Sequence, residues 1–228
     1  MFSSAEARLL SPPAPPARSS ALPLAAVLSV WFLSVLGGGL SGWFVSAPTQ
    51  PPLAILLAVS LPPLVFALLY QTSGRFAAFT LNLDLKLITS LQSFRVIGAM
   101  FLVLYAFRLL PGLFAFPAGL GDLAVGLAAP FLALRIARGA AGWQRQTYWF
   151  NVLGLLDFAV AIGTGVLTSD TSLGVFADHT LPARANLAAF PLSLVPTFLV
   201  PFYIILHVIS LLQLAQRRPK RPQAKLPR

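Results

Sequence analysis

Six apolar runs alternate with short polar stretches along this chain, each close to the ~20 residues that cross ~30 Å of hydrocarbon. They cover residues 21–45, 52–70, 88–110, 117–136, 147–167 and 187–213. Pro62 and Pro63 sit in the middle of the second run, and Pro117 opens the fourth, where a first helical turn accepts proline. Pro191, Pro196 and Pro201 interrupt the sixth. Between the second and third runs, Thr80 to Leu87 alternates polar and apolar residues with period two, a strand-like pattern. A lone strand beside a bilayer leaves its backbone groups unpaired. The stretch is therefore expected to be an interfacial segment, with Asp84 near the start of the third span.

The pattern predicts an all-α fold, an integral membrane bundle of about six transmembrane helices. Residues 1–20 form a Pro-rich tail predicted to be disordered and cytoplasmic, 21–213 the membrane domain, and 214–228 a basic cytoplasmic tail. The organising stretch is 91–126, two apolar runs joined by a Pro/Gly turn, each carrying a charge inside it: Arg95 and Asp122.

Helical steps of three and four give each of the last four spans a stripe of small and polar residues. The third carries Gln92, Arg95, Gly98, Leu102 and Tyr105; the fourth Gly119, Asp122, Gly126 and Ala129. The fifth carries Asn151, Gly154, Asp157, Ala161 and Thr164; the sixth Tyr203, His207 and Ser210. In lipid, small residues let helices approach closely and polar ones bond across the contact. These faces should therefore turn inward. At ~1.5 Å per residue, Arg95 and His207 lie ~9–10 Å inside one boundary, Asp157 near mid-membrane, and Asp122 ~8 Å from the opposite end. The expected pairs are Arg95 with Asp157 and Arg108 with Asp122, with His207 beside Gln92 and Asn151.

Composition strengthens the membrane reading. The chain is 57% hydrophobic and 10% charged, against about 25% charged in soluble domains. The net charge of +10 sits mostly in the tails and in alternate connections. Arg75 and Lys86 lie in one such connection, Arg135, Arg138 and Arg145 in another, and six basic residues follow Gln216. By the positive-inside rule both termini are cytoplasmic, and the basic tail meets lipid headgroups rather than nucleic acid, which is not an expected partner. The absence of cysteine excludes disulfides, thiolate metal sites and cysteine nucleophiles.

An unpaired charge inside a bilayer costs at least ~2.5 kcal/mol, so intramembrane charges are either paired or face a cavity. Gln92, Arg95, Asp122, Asn151, Asp157, Tyr203 and His207 are thus the candidate binding cluster; equally, they can be a network that only locks the helices. No catalytic residue is assigned and no metal motif is seen: Asp170, Asp178 and His179 match no standard spacing. No cofactor is specified by the residues. Three functions fit. The first is a small transporter or permease-like protein with a polar intramembrane site. The second is an intramembrane enzyme or a lipid- or quinone-binding protein. The third is a non-catalytic accessory subunit. The bilayer is the evident partner; Gly38 and Gly42 form a GxxxG that suits packing within the chain, in a homodimer or against a partner subunit.

Gln92-Ser-Phe-Arg95 with Gly98, Phe114-Ala-Phe-Pro117-Ala-Gly119-Leu-Gly121-Asp122, and Val195-Pro196-Thr-Phe-Leu-Val-Pro201 with His207 resemble a bacterial family of multi-pass membrane proteins of unknown function. The resemblance spans roughly residues 80–215. It implies a bacterial source and the cytoplasmic membrane, and carries no activity, substrate or cofactor.

Overall fold

The computed structural model describes residues 18–181 and 185–217, all helix, turn or loop, with no strand among them. Of the two expected tails, residues 1–17 and 218–228 lie outside the described residues, while 18–20 and 214–216 are helical and extend the first and last spans. Among the described residues, six helices are long and apolar enough to cross a membrane: Leu22–Leu40, Leu53–Thr72, Leu85–Ala106, Gly112–Ala137, Trp143–Leu167 and Val195–Gln216. Their length and composition are those of a multi-pass membrane protein. In chain order the helices are α1 (Arg18–Leu40), α2 (Leu53–Thr72), α3 (Gly74–Leu81), α4 (Leu85–Leu91), α5 (Met100–Ala106), α6 (Gly112–Ala137), α7 (Trp143–Leu167) and α8 (Val200–Gln216).

The period-two stretch is helix-forming. Ser73 caps α3 by accepting from the Phe76 amide at 3.3 Å, and Asp84 caps α4 by accepting from the Lys86 amide at 2.8 Å. Asp84 thus starts the third span, as expected. No partner strand exists among the described residues to satisfy an extended backbone, and local helical bonding satisfies it instead.

The third span is not a uniform α-helix. Between α4 and α5, Gln92–Ala99 winds as a tighter 3-10 helix. Three residues per turn put Gln92, Arg95, Gly98 and Phe101 in line, and all four are buried. The expected continuation to Tyr105 is corrected: the 3-10 turn shifts the phase, Phe101 takes the inward position, and Tyr105 is 41% exposed.

Two span starts also differ from expectation. α6 begins at Gly112, led by an extended Pro111, so Pro117 lies inside the helix and not in its first turn. The sixth span begins at Val195, because 185–193 forms loop and turns. Proline disfavours helix in the residue before it and removes a donor, and Pro191 falls in that stretch. Val195–Leu199, containing Pro196, is a wide π-turn that leads into α8.

α6 packs along the 3-10 segment, α7, α4 and α5, while α8 packs on α7, α2 and α4. Gly126 and Gly119 permit the first contact. A Cβ at Gly126 would lie 2.6 Å from the Val96 amide nitrogen, and one at Gly119 would lie 2.8 Å from Leu102. The hairpin of residues 91–126 is therefore the close-packed centre. α1 is peripheral, reaching the bundle near the π-turn, where Trp31 and Phe32 meet Phe198.

Connections gather at two ends. At one, the Ser172 amide donates to the Gln50 carbonyl at 3.2 Å and the Ala185 amide to the Leu109 carbonyl at 2.8 Å. At the other, Gln213 Nε2 donates to the Leu83 and Thr80 carbonyls at 2.9 and 3.2 Å. There too, Arg135 closes the α6–α7 turn through Gln146 and the Ala141 carbonyl.

Candidate functional site

The 3-10 turn aims Arg95 into the middle of the bundle, where its side chain is 1% exposed. All three guanidinium nitrogens are engaged. Nε donates to Asp122 Oδ1 at 2.7 Å, Nη1 to His207 Nε2 at 3.0 Å, and Nη2 to Asp157 Oδ2. The guanidinium carbon lies 3.9 Å from the centre of the Phe158 ring, so the planar face is covered as well. One residue thereby ties together α6, α7, α8 and its own span.

A guanidinium only donates, which fixes the rest of the network. His207 Nε2 accepts, so Nδ1 carries the hydrogen and donates to Asn151 Oδ1 at 2.8 Å. Asn151 Nδ2 then donates to Ser210 Oγ at 2.8 Å and to the Thr147 carbonyl at 2.6 Å. His207 is completely buried in this neutral arrangement. The formal charge of the cluster is one guanidinium against two carboxylates.

Glycines shape the walls. A Cβ on Gly98 would collide with the Asp122 carboxylate, one on Gly121 with the Asp157 carboxylate, and one on Gly154 with the His207 ring. Each of the three partner helices or segments is bare where a charged or polar group must fit.

The structure brings Arg95, Asp122, Asp157, His207 and Asn151 into one bonded network. Gln92 and Tyr203 stand beside it: Gln92 Nε2 reaches the Tyr203 carbonyl at 3.5 Å, and the buried Gln92 Oε1 has no partner. Tyr203 contributes that backbone carbonyl and a ring stacked on Phe158 at 6.5 Å. The expected Arg108–Asp122 pair is corrected. With α6 starting at Gly112, Asp122 is ten residues, ~15 Å, into its helix and level with Arg95. Arg108 stays at the loop end. It adds to the field at Asp178, whose carboxyl is held below its usual value chiefly by hydrogen bonds from the Thr180 hydroxyl and amide.

Phe158 and Gly121 are parts of the site that the charge pattern did not single out. Phe158 lies seven residues from Asn151 and four from Gly154, on the same helical face, and that spacing was the available signal. Gly121 adjoins Asp122 in sequence but serves the other carboxylate, which only the fold reveals.

A cavity of about 150 Å³ runs from the loops near Ser46, Pro111 and Ser169 down between α2, α6 and α7. Its walls are mostly apolar, including Phe101, Phe114 and Phe158, and Asp122 lies at its inner end. The carboxylates keep some exposure, 15% for the Asp122 side chain and 12% for Asp157, against 1% for Arg95. A smaller crevice, lined by Phe94 and Ile97 on the flank of the third span, also reaches Asp122. Phe94 and Ile97 are exposed there, on the apolar outer surface of the bundle.

A family model described as a domain of unknown function, DUF8737, matches residues 52–215. The chain belongs to the DUF8737 family. The DUF8737 match takes in the five spans from α2 to α8 and every residue of the Arg95 network; α1 lies before it. No curated protein and no solved structure matches the chain.

Proposed function

We propose that this protein is a small permease-like carrier of the bacterial cytoplasmic membrane, with both termini cytoplasmic and a substrate pocket that opens on the opposite side. The observation that supports it is the cavity running from the loops to Asp122 in the Arg95 network. A mostly apolar cavity with a few convergent polar groups is the usual form of a small-molecule site. Polar groups at membrane depth, beside Pro-interrupted helices, are features of transport sites. The orientation follows from charge. Arg75, Lys86, Arg135, Arg138, Arg145 and Arg217 all belong to the end away from the pocket mouth. On that closed side the His207–Asn151–Ser210 network fills the space below Arg95, so a carrier cycle requires this network to part.

The test is flux in proteoliposomes across a panel of small amphipathic solutes. Uptake above empty vesicles, lost in Ala161→Phe, which puts a ring into the cavity, is the expected result. Flux equal to empty vesicles across the panel contradicts the carrier reading. The crevice beside Phe94 and Ile97 favours a second reading, an intramembrane enzyme or a lipid- or quinone-binding protein loaded from the bilayer. A stoichiometric lipid or quinone retained in native mass spectrometry would select it.

A further inference from the structure

We infer that the pocket takes a small apolar molecule carrying a single positive charge, an aryl- or alkyl-ammonium, with its ammonium on Asp122. The inference rests on the pocket reading above and names the class of its occupant. Three observations lead to it.

The first is charge. Asp122 and Asp157 share one guanidinium, and His207, accepting from Arg95, contributes no charge. The buried cluster therefore carries one negative charge in excess, in a medium where an uncompensated charge is costly. A ligand with one positive charge restores the balance.

The second is valence. Nε, Nη1 and Nη2 of Arg95 are all engaged, and Phe158 covers the guanidinium face. An anionic head entering the pocket would meet carboxylates and find no donor on Arg95. Asp122 instead uses Oδ1 on Arg95; Oδ2 lies against Gly98, accepts from no donor among the described residues, and is the oxygen a ligand N–H would have to reach. Of the two carboxylates, Asp122 is the one that lines the cavity.

The third is shape. The walls beside Asp122 are apolar and aromatic, with Phe101, Phe114 and Ala118 around the approach, while Ser46, Ser169, Asp170 and Asn186 are polar lining residues from the loops. A volume of about 150 Å³ suffices for a benzene-sized ring. The lipid-flank crevice meets the same carboxylate, which suits a molecule that partitions into membranes.

The experiment is equilibrium dialysis of the full chain in zwitterionic-lipid nanodiscs, against empty nanodiscs, with three probes of one shape: 2-phenylethylamine, 2-phenylethanol and phenylacetate. The amine should bind once per chain, at least about tenfold tighter than the alcohol, with phenylacetate weakest, since a buried charge pair is worth that or more. In Asp122→Asn the amine should lose its advantage over the alcohol. Equal binding of amine and alcohol to the unmodified protein, abolished by Ala161→Phe, would overturn the inference and leave the pocket standing, the excess charge then being met by a proton. Tighter binding of phenylacetate would also overturn it. Binding of none of the three would remove both this inference and the pocket reading. The deciding ratio is measured on unmodified protein, so a folding defect in the variant does not blunt the test.

Discussion

Arg95 is the residue whose loss should be felt most. Arg95→Leu leaves two carboxylates buried without a cation, and Asp157→Leu leaves a guanidinium short of one partner. Breaking one side of a buried pair costs ~3–5 kcal/mol, whereas removing both can be far milder. A double-mutant cycle on stability in detergent should therefore show Arg95→Leu/Asp157→Leu losing less than the sum of the singles; additive losses would contradict the pairing. The glycines give an independent check. Gly154→Ala drives a methyl into the His207 ring, an overpacking worth ~1–3 kcal/mol. Gly37→Ala meets nothing within 4 Å and should be neutral or stabilising by up to ~1 kcal/mol, as for any open helix position. Equal effects at the two sites, read from thermal melts, would mean the close approach at Gly154 is not as described. At this scale the Arg95–Asp157 pair was legible, because a charge in hydrocarbon must find a partner and the difference between the two expected depths is within an arginine side chain's reach. Asp122 was misplaced, because its depth was counted from Pro117 when the helix starts at Gly112.

At the scale of elements, the 3-10 winding of Gln92–Ala99 decides which side of the third span faces inward. Phe101→Ala should cost ~3–5 kcal/mol, the range for emptying an aromatic core position. Tyr105→Ala, at a 41% exposed position against Phe116, should cost ~1 kcal/mol or less. Urea or thermal unfolding in detergent reads both. The reverse order would restore a continuous α-helical phase. Periods of three and four agree over one turn and diverge over three, so Gln92, Arg95 and Gly98 could be read from sequence while Tyr105 could not. The same limit explains the sixth span. Proline positions were visible, but which of three prolines would end the loop depended on packing of the π-turn against α1 and α2. That Thr80–Leu87 is not a strand was legible for a different reason: extended backbone without a partner strand is excluded beside lipid, and Asp84, expected near the start of the third span, caps α4.

For the whole molecule, run length alone gave six spans, since the bilayer sets both a minimum length and an apolar composition. What run length does not carry is the gap between α2, α6 and α7. A cavity is a property of how faces meet, and its lining residues are scattered from Phe44 to Val200. Orientation is open to direct measurement because the natural chain has no cysteine to remove. Ser172→Cys and Ala140→Cys should react with a membrane-impermeant maleimide from opposite sides of sealed vesicles, Ser172→Cys from the non-cytoplasmic face in the orientation proposed above. Labelling of both from the same side would refute the six-span arrangement. The most direct test of the central claim places the thiol in the pocket itself. Ala161→Cys, on the cavity wall, should react with a small charged methanethiosulfonate from the Ser172 side and not from the Ala140 side, with Ser46→Cys at the mouth as the reference for full access. Reaction from the Ser172 side alone is the outcome expected of a pocket that opens at one end and is closed at the other by the Arg95 network; no reaction from either side, or equal reaction from both, would contradict it.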